Sequence, residues 1–180
     1  MSTMPIGGSC PRTASSSTGV SGRRLAAVLA GAAALFALLK WGRLPLATPG
    51  YQGVPVTAML VWLHLKLPGR SAALAAATLA SAALWLATPQ MAAKALALVA
   101  VASVYGLAAG AAPSRSRVVV AAALAYGIWP LAAWLPKAAT VNGQGLLALC
   151  GAHAAFGAIG ALIACALVSR RPAEPASGLA

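Results

Sequence analysis

Six apolar runs recur along the chain, at residues 25–40, 54–67, 71–88, 92–112, 118–135 and 146–168, and the Lys and Arg residues stand singly or in pairs at their ends. That pattern leaves few folds open. A helix of about 20 apolar residues crosses the ~30 Å hydrocarbon layer of a bilayer. A basic residue at the centre of such a helix costs about 2.5–3.5 kcal/mol on insertion, so the charged run ends read as membrane faces. Composition agrees: 61% of residues are hydrophobic and 8% charged, whereas soluble domains carry roughly a quarter of their residues as Asp, Glu, Lys or Arg. The expected fold class is therefore all-α, a membrane-embedded bundle of about six transmembrane helices. At 180 residues, no room is left for a soluble catalytic domain.

The breaks between runs carry their own signals. Residues 1–24 are rich in Ser, Thr, Gly and Pro, with Arg12, Arg23 and Arg24 and no acidic partner, a composition that cannot form a packed core. They are expected to be a disordered basic tail. An Arg- and Ser-rich leader also resembles a transit peptide, and Arg23-Arg24 before an apolar run resembles a signal-peptide start. Lys40-Trp41-Gly42 after the run is not a small-x-small cleavage site, so the first helix is expected to be retained. Pro55 fits a first helical turn, Thr88-Pro89 stops the third run, and Pro130, between Trp129 and Trp134, predicts a kink or an early end in the fifth. Domain limits follow: tail 1–24, six-helix domain 25–169, tail 170–180.

Charge gives the orientation. With an inner amino terminus, Arg12, Arg23, Arg24, Lys66, Arg70, Arg115, Arg117, Arg170 and Arg171 fall on one side, against Lys40, Arg43, Lys94 and Lys137 on the other. The positive-inside rule then puts both termini in the cytoplasm of a multi-pass protein of the cell (inner) membrane. The net charge of +12 is accounted for by topology, not by nucleic-acid binding.

The same inventory removes most chemistry. Glu174 is the single acidic residue, and it lies in the C-terminal tail. No carboxylate pair can form and none can orient His64 or His153 as a base. Phosphate-binding loops, HExxH and GxSxG are all missing from the sequence. Cys10, Cys150 and Cys165 have no CxxC spacing, and two of them sit in apolar runs, where cysteine acts as a small hydrophobe. The expectation is a protein that is not an enzyme, uses no cofactor and binds no metal. His64 reads as a polar residue near a membrane face, and His153 as a donor between helices.

What remains is binding. Residues 41–57, WGRLPLATPGYQGVPVT, crowd prolines, glycines and aromatics into a connection longer than two helices need. Charge places this loop outside, with 88–90 and 136–145. An apolar wall with a few convergent polar groups is what a small-ligand site requires. The candidate ligand-binding residues are Trp41, Arg43, Tyr51, Gln52, Lys94, Trp129, Asn142 and Gln144. Trp and Tyr also form interfacial belts, and Lys and Arg anchor helix ends, in any membrane protein. Four basic groups and no acidic one on that side favour an anionic or neutral ligand. On the first helix, Ala26, Ala30 and Ala34 line one stripe that permits close approach of another helix, a spacing that Ala-rich sequence also produces by chance.

Six short spans, inner termini, the Ala-x-x-x-Ala stripe, the outer loop and a last helix reading GAHAAFGAIGALIACALVSRR together resemble the substrate-binding S component of energy-coupling-factor (ECF) transporters. Val54-Pro55-Val56-Thr57, followed by a helix and Leu67-Pro68-Gly69-Arg70-Ser71-Ala72-Ala73-Leu74, resembles the opening of the biotin-transporter type. Two features depart from that type: Met59 stands where it has glutamine, and its Gly-Asp followed by Lys near the last helix is missing here. The resemblance implies a substrate-capture subunit for vitamin or small-molecule uptake, biotin being one candidate ligand. It also implies docking of the Ala26, Ala30, Ala34 face on a transmembrane T component coupled to ATPase subunits. The alternative is a small integral membrane scaffold without transport activity.

Overall fold

The computed structural model describes residues 17–42, 50–67, 71–111, 113–134 and 143–169. Among these, all regular structure is helical: α1 (Ser17–Trp41), α2 (Gly53–Lys66), α3 (Ser71–Ala87), a 3₁₀ turn (Pro89–Met91), α4 (Ala92–Ala109), α5 (Arg115–Gly127), α6 (Trp129–Trp134) and α7 (Gly143–Ser169). The helices correspond to the apolar runs, with informative differences at their ends. Helix α1 begins at Ser17, inside the stretch expected to be a disordered tail. Extending a nucleated apolar helix by two polar turns costs far less than starting one. Helix α4 stops before Gly110, whose φ of +80° lies outside helical geometry, so Ala111 is not part of it. Helix α5 begins ahead of its apolar run because Ser114 caps it, its hydroxyl accepting from the Arg117 backbone N–H at 3.3 Å.

The fifth run breaks as its proline requires. Pro130 has no N–H to offer the Tyr126 carbonyl four residues back, and its ring would collide with that carbonyl. The helix therefore ends at Gly127 and resumes as α6, with the Ala132 N–H on the Ile128 carbonyl at 3.1 Å.

Three helical stretches, Gly22–Trp41, Pro89–Ala109 and Gly145–Ser169, are long and apolar enough to cross a bilayer. Helices α2 and α3, with 14 and 17 residues, reach about 21 and 26 Å at 1.5 Å per residue. The surface is apolar on all sides: Leu86, Leu96, Leu107, Leu124, Leu147 and Leu167 are each more than half exposed. Helices apolar all round are those solvated by lipid or by other helices.

Inside, many of the buried side chains are small. Ala72, Ala73, Ala76, Ala77 and Ala80 of α3 face inward, as do Ala97 and Ala102 of α4, Ala121, Ala122 and Ala125 of α5, and Ala161 and Ala164 of α7. These small residues, interspersed with buried Leu35, Leu60, Leu63, Leu84 and Leu98, let helix backbones come together, the arrangement that favours association in lipid. Helix α7 lies between α2 and α5, while α3 packs on α1 and α4. At Gly157 a Cβ would meet the Ala122 carbonyl oxygen at 2.7 Å and Tyr126 Cβ at 2.8 Å. At Gly160 it would run into the Val54 carbonyl of α2.

Neighbouring contacts fix the two ends of the bundle. At one, Arg24 reaches the Ser71 hydroxyl (3.4 Å), Arg117 donates to the Ala108 carbonyl (2.9 Å) and Arg115 donates to the Ser169 hydroxyl (2.9 Å). We call this the basic end. The loop end, opposite, carries Trp41, residues 50–53, the 3₁₀ turn and α6. His64, expected near a membrane face, is instead buried, edge-on to Tyr105 of α4 with centroids 5.3 Å apart. The ring lies only two residues from the end of α2, and it is buried because its face of the helix is turned toward α4.

Gly157→Ala and Gly160→Ala should each lower the stability of the purified protein by about 1–3 kcal/mol, the usual cost of overpacking. Gly151→Ala should not, because Gly151 has nothing within 4 Å of its would-be Cβ. Thermal unfolding in detergent checks this; equal melting temperatures for all three variants would contradict the close helix contacts.

Candidate functional site

The described parts of residues 41–57 form a clasp. Helix α1 ends at Trp41, and the Gly42 carbonyl just beyond it accepts two side-chain hydrogen bonds from the far side of the loop. They come from the Tyr51 hydroxyl at 3.2 Å and Gln52 Nε2 at 2.9 Å. The returning chain turns tightly, with the Gly53 N–H on the Gly50 carbonyl (2.8 Å) and the Val54 N–H on the Tyr51 carbonyl (3.2 Å), and passes directly into α2. The two stems of the loop are thus tied to each other, not only to the helices they leave and enter.

The turn rests on a stack of rings. Tyr126 of α5 lies between Trp129 of α6 and His153 of α7, with centroids 5.3 and 5.4 Å away and ring planes inclined by 28° and 25°. All three side chains are buried. Gly50 adopts φ +96°, a conformation side chains disfavour, and a Cβ there would lie 3.1 Å from the imidazole of His153. A Cβ at Gly53 would collide with the Tyr126 ring. Two glycines therefore let the loop backbone settle onto the rings.

His153 Nδ1 lies 2.9 Å from the Leu149 carbonyl one turn back in its own helix. This differs from the expected bond between helices: a carbonyl only accepts, so Nδ1 carries the proton, and across the helix boundary the ring interacts by stacking. Trp129, three residues after Tyr126, keeps to the same side across the interruption at Ile128, whose backbone stays in the right-handed helical region.

The structure brings some of the sequence-derived candidates together and separates others. Tyr51 and Gln52 meet at the clasp, and Trp129 joins the ring stack beneath it. Trp41 is 68% exposed. Its ring stands edge-on to Phe36 at 5.9 Å, and Lys40 Nζ lies 5.3 Å from the Phe36 ring and 5.4 Å from the Trp41 ring, a grouping suited to a membrane–water boundary. Lys94 is half-buried in the first turn of α4. Arg43 and Asn142 lie outside the described residues, as does the side chain of Gln144. Ala26 and Ala30 are exposed and Ala34 is half-buried, leaving that stripe of α1 largely uncovered.

Sequence reasoning missed Tyr126 and Gly53, and gave His153 a different role. The signal for Tyr126 was present, since a Tyr three residues before a Trp shares its helix face. The break between them, and their contact with α7, is tertiary.

A second feature of the loop-end half is a groove of about 410 Å³ between α3 and α4, lined by Ser81, Trp85, Ala92, Ala95, Leu96 and Val99 among others. Thr78 bonds the Leu74 carbonyl (2.9 Å) and Ser81 the Ala95 carbonyl (2.8 Å), so both hydroxyls in its wall are committed within the protein. None of the candidate ligand-binding residues lines it.

Combining Tyr51→Phe with Gln52→Ala removes both donors to the Gly42 carbonyl. At about 0.5–1.5 kcal/mol net per hydrogen bond, the amides of Gly53 and Val54 should exchange roughly five- to a hundredfold faster with deuterium, while those of α3 stay unchanged. Unaltered exchange at residues 53 and 54 would mean that the clasp does not hold the loop.

Comparison with known proteins gives no match to a family model, to a curated protein or to a solved structure.

Proposed function

We propose that this chain is the substrate-capture subunit of a vitamin or small-molecule uptake transporter, similar to an ECF S component, with its ligand held at the loop end beneath residues 41–57. The observation that carries the reading is the clasped turn seated on the Trp129–Tyr126–His153 stack. A loop tied across its own stems and resting by two glycines on buried aromatic rings is suited to act as a cap. An aromatic wall with few polar groups is the usual lining of a small-ligand site.

In this reading the chain crosses the inner membrane six times with both termini in the cytoplasm, α5 and α6 together making the fifth crossing. From Arg115 to Trp134 they span 20 residues, about 30 Å if helical throughout. Support comes from the alternating helix directions. It also comes from the charge split among described residues, with Arg23, Arg24, Lys66, Arg115 and Arg117 at the basic end against Lys40 and Lys94 at the loop end. The ligand is anionic or neutral, and Arg43 or Lys94 pairs with its carboxylate or phosphate. The uncovered Ala26, Ala30, Ala34 stripe docks on a transmembrane T component, and ATP hydrolysis belongs to the ATPase partners.

Detergent-purified protein screened against vitamins and their precursors should melt higher with one of them. At a hundred times Kd a ligand adds about 2.7 kcal/mol. Arg43→Ala or Lys94→Ala should weaken that ligand about tenfold or more, as loss of a hydrogen bond to a charged group does. Equal binding by both variants would remove the anion-pairing assignment. A single cysteine introduced at Ala47, with the native cysteines replaced, should be labelled by an impermeant reagent from outside. Labelling only after membrane disruption, with no ligand found, would favour the scaffold alternative.

A further inference from the structure

A groove of about 510 Å³ runs between α5 and α7 at the basic end. Its floor and walls are apolar, with Val119 and Val120 on one side and Leu162 and Ala166 on the other, and Arg115 and Ser169 close its mouth. Between Ser169 and Leu162, seven residues of α7 carry it about 10 Å inward from the helix end. A smaller hollow of about 210 Å³, reaching Leu65 and Val168, shares Arg115, Cys165 and Ser169 with it, so the guanidinium stands on the ridge between two apolar depressions.

Among the described residues no acidic side chain compensates the charge there. Arg115 donates from Nη2 to the Ser169 hydroxyl at 2.9 Å, and that hydroxyl donates in turn to the Cys165 carbonyl at 2.7 Å, which holds the guanidinium over the groove without neutralising it. No Asp or Glu occurs among the described residues, the chain's only acidic residue being Glu174. Arg117 lies two residues further along the same helix start.

We propose that this groove is a binding site for an anionic diacyl phospholipid, its phosphate on the Arg115 guanidinium and an acyl chain along Val119, Val120, Leu162 and Ala166. Charge complementarity selects the occupant. The mouth offers a fixed cation with donors to spare and no acceptor charge, while the interior offers no polar partner, so the occupant needs an anion at one end and hydrocarbon at the other. A basic pocket between helices at a membrane face has the chemistry that lipid phosphates use. The site is at the opposite end of the bundle from the clasped loop and is independent of what binds there.

The test is native mass spectrometry and thermal unfolding of the full chain, solubilised in detergent with added phosphatidylglycerol or phosphatidylcholine. Wild-type protein should retain phosphatidylglycerol in preference to phosphatidylcholine and melt higher with it. Arg115→Gln should lose that preference, with retention reduced about fivefold, the effect of one basic residue near an anionic lipid. Arg24→Gln, the same charge change at the same end, should retain it. Leu162→Trp, which fills the groove from its exposed side, should reduce retention with Arg115 intact, and it decides the matter alone if Arg115→Gln does not fold. Unchanged retention in Arg115→Gln or in Leu162→Trp overturns the site. An equal loss in Arg24→Gln reduces it to general surface charge, and an equal melting shift from inorganic phosphate alone removes the acyl groove; either result also overturns it.

Discussion

A polar group inside an apolar bundle surrounded by lipid must find its partner within the protein, because no water is at hand to supply one. Several of the hydroxyls among the described residues meet that demand locally, whereas the buried Tyr105 hydroxyl is left without a hydrogen-bond partner. Thr78 and Ser103 bond the carbonyls of Leu74 and Val99, Thr57 bonds that of Gly53, Ser169 that of Cys165 and His153 that of Leu149, each one turn back in its own helix. A hydroxyl satisfied in this way asks nothing of its neighbours. The faces between helices are then free to be apolar and small, and Ala and Gly fill them. Ser81 is the exception, crossing from α3 to the Ala95 carbonyl of α4 and joining those two helices by a directed bond.

Small interiors have a consequence for where function can reside. Where helix backbones approach closely enough for Gly157 and Gly160 to need their missing side chains, little space is left between them. The polar and aromatic side chains that could define a site are displaced to the two ends. At the loop end they form the clasp and the ring stack. At the basic end they form three arginine bridges that tie helix termini together. Close to the basic end, Tyr105 and His64 pack edge-on against each other in the interior.

The long loop and the proline in the fifth run are coupled through the ring stack. Pro130 ends α5 just after Tyr126, and Trp129, at the start of the next helix, lies three residues on and stacks on the tyrosine ring. His153, brought alongside by the antiparallel α5–α7 pair, completes the stack from the other side. Only then is there a flat surface on which Gly50 and Gly53 can rest. Residues three apart share a helix face, and Ile128 between the two helices keeps a right-handed helical backbone, so Trp129 stays on the side of Tyr126 across the interruption.

Much of this was legible in sequence. The six apolar runs gave the helices to within a few residues, apart from the start of α1 at Ser17 in the stretch expected to be disordered, since run length reports directly on what a helix exposes to lipid. Thr88-Pro89 and Pro130 marked breaks because a missing N–H acts locally, wherever the helix lies. The grouping of basic residues at one end also followed from the linear order of runs and charges. What sequence could not decide is which residues from different helices meet. That Tyr51 and Gln52 share the Gly42 carbonyl, that His153 stacks on Tyr126 and not on a residue of α2, and that His64 turns inward depend on helix rotation and neighbour choice. In a chain apolar on every side, periodicity does not fix helix rotation; the close contacts of Ala and Gly do, and these exist only in the folded bundle.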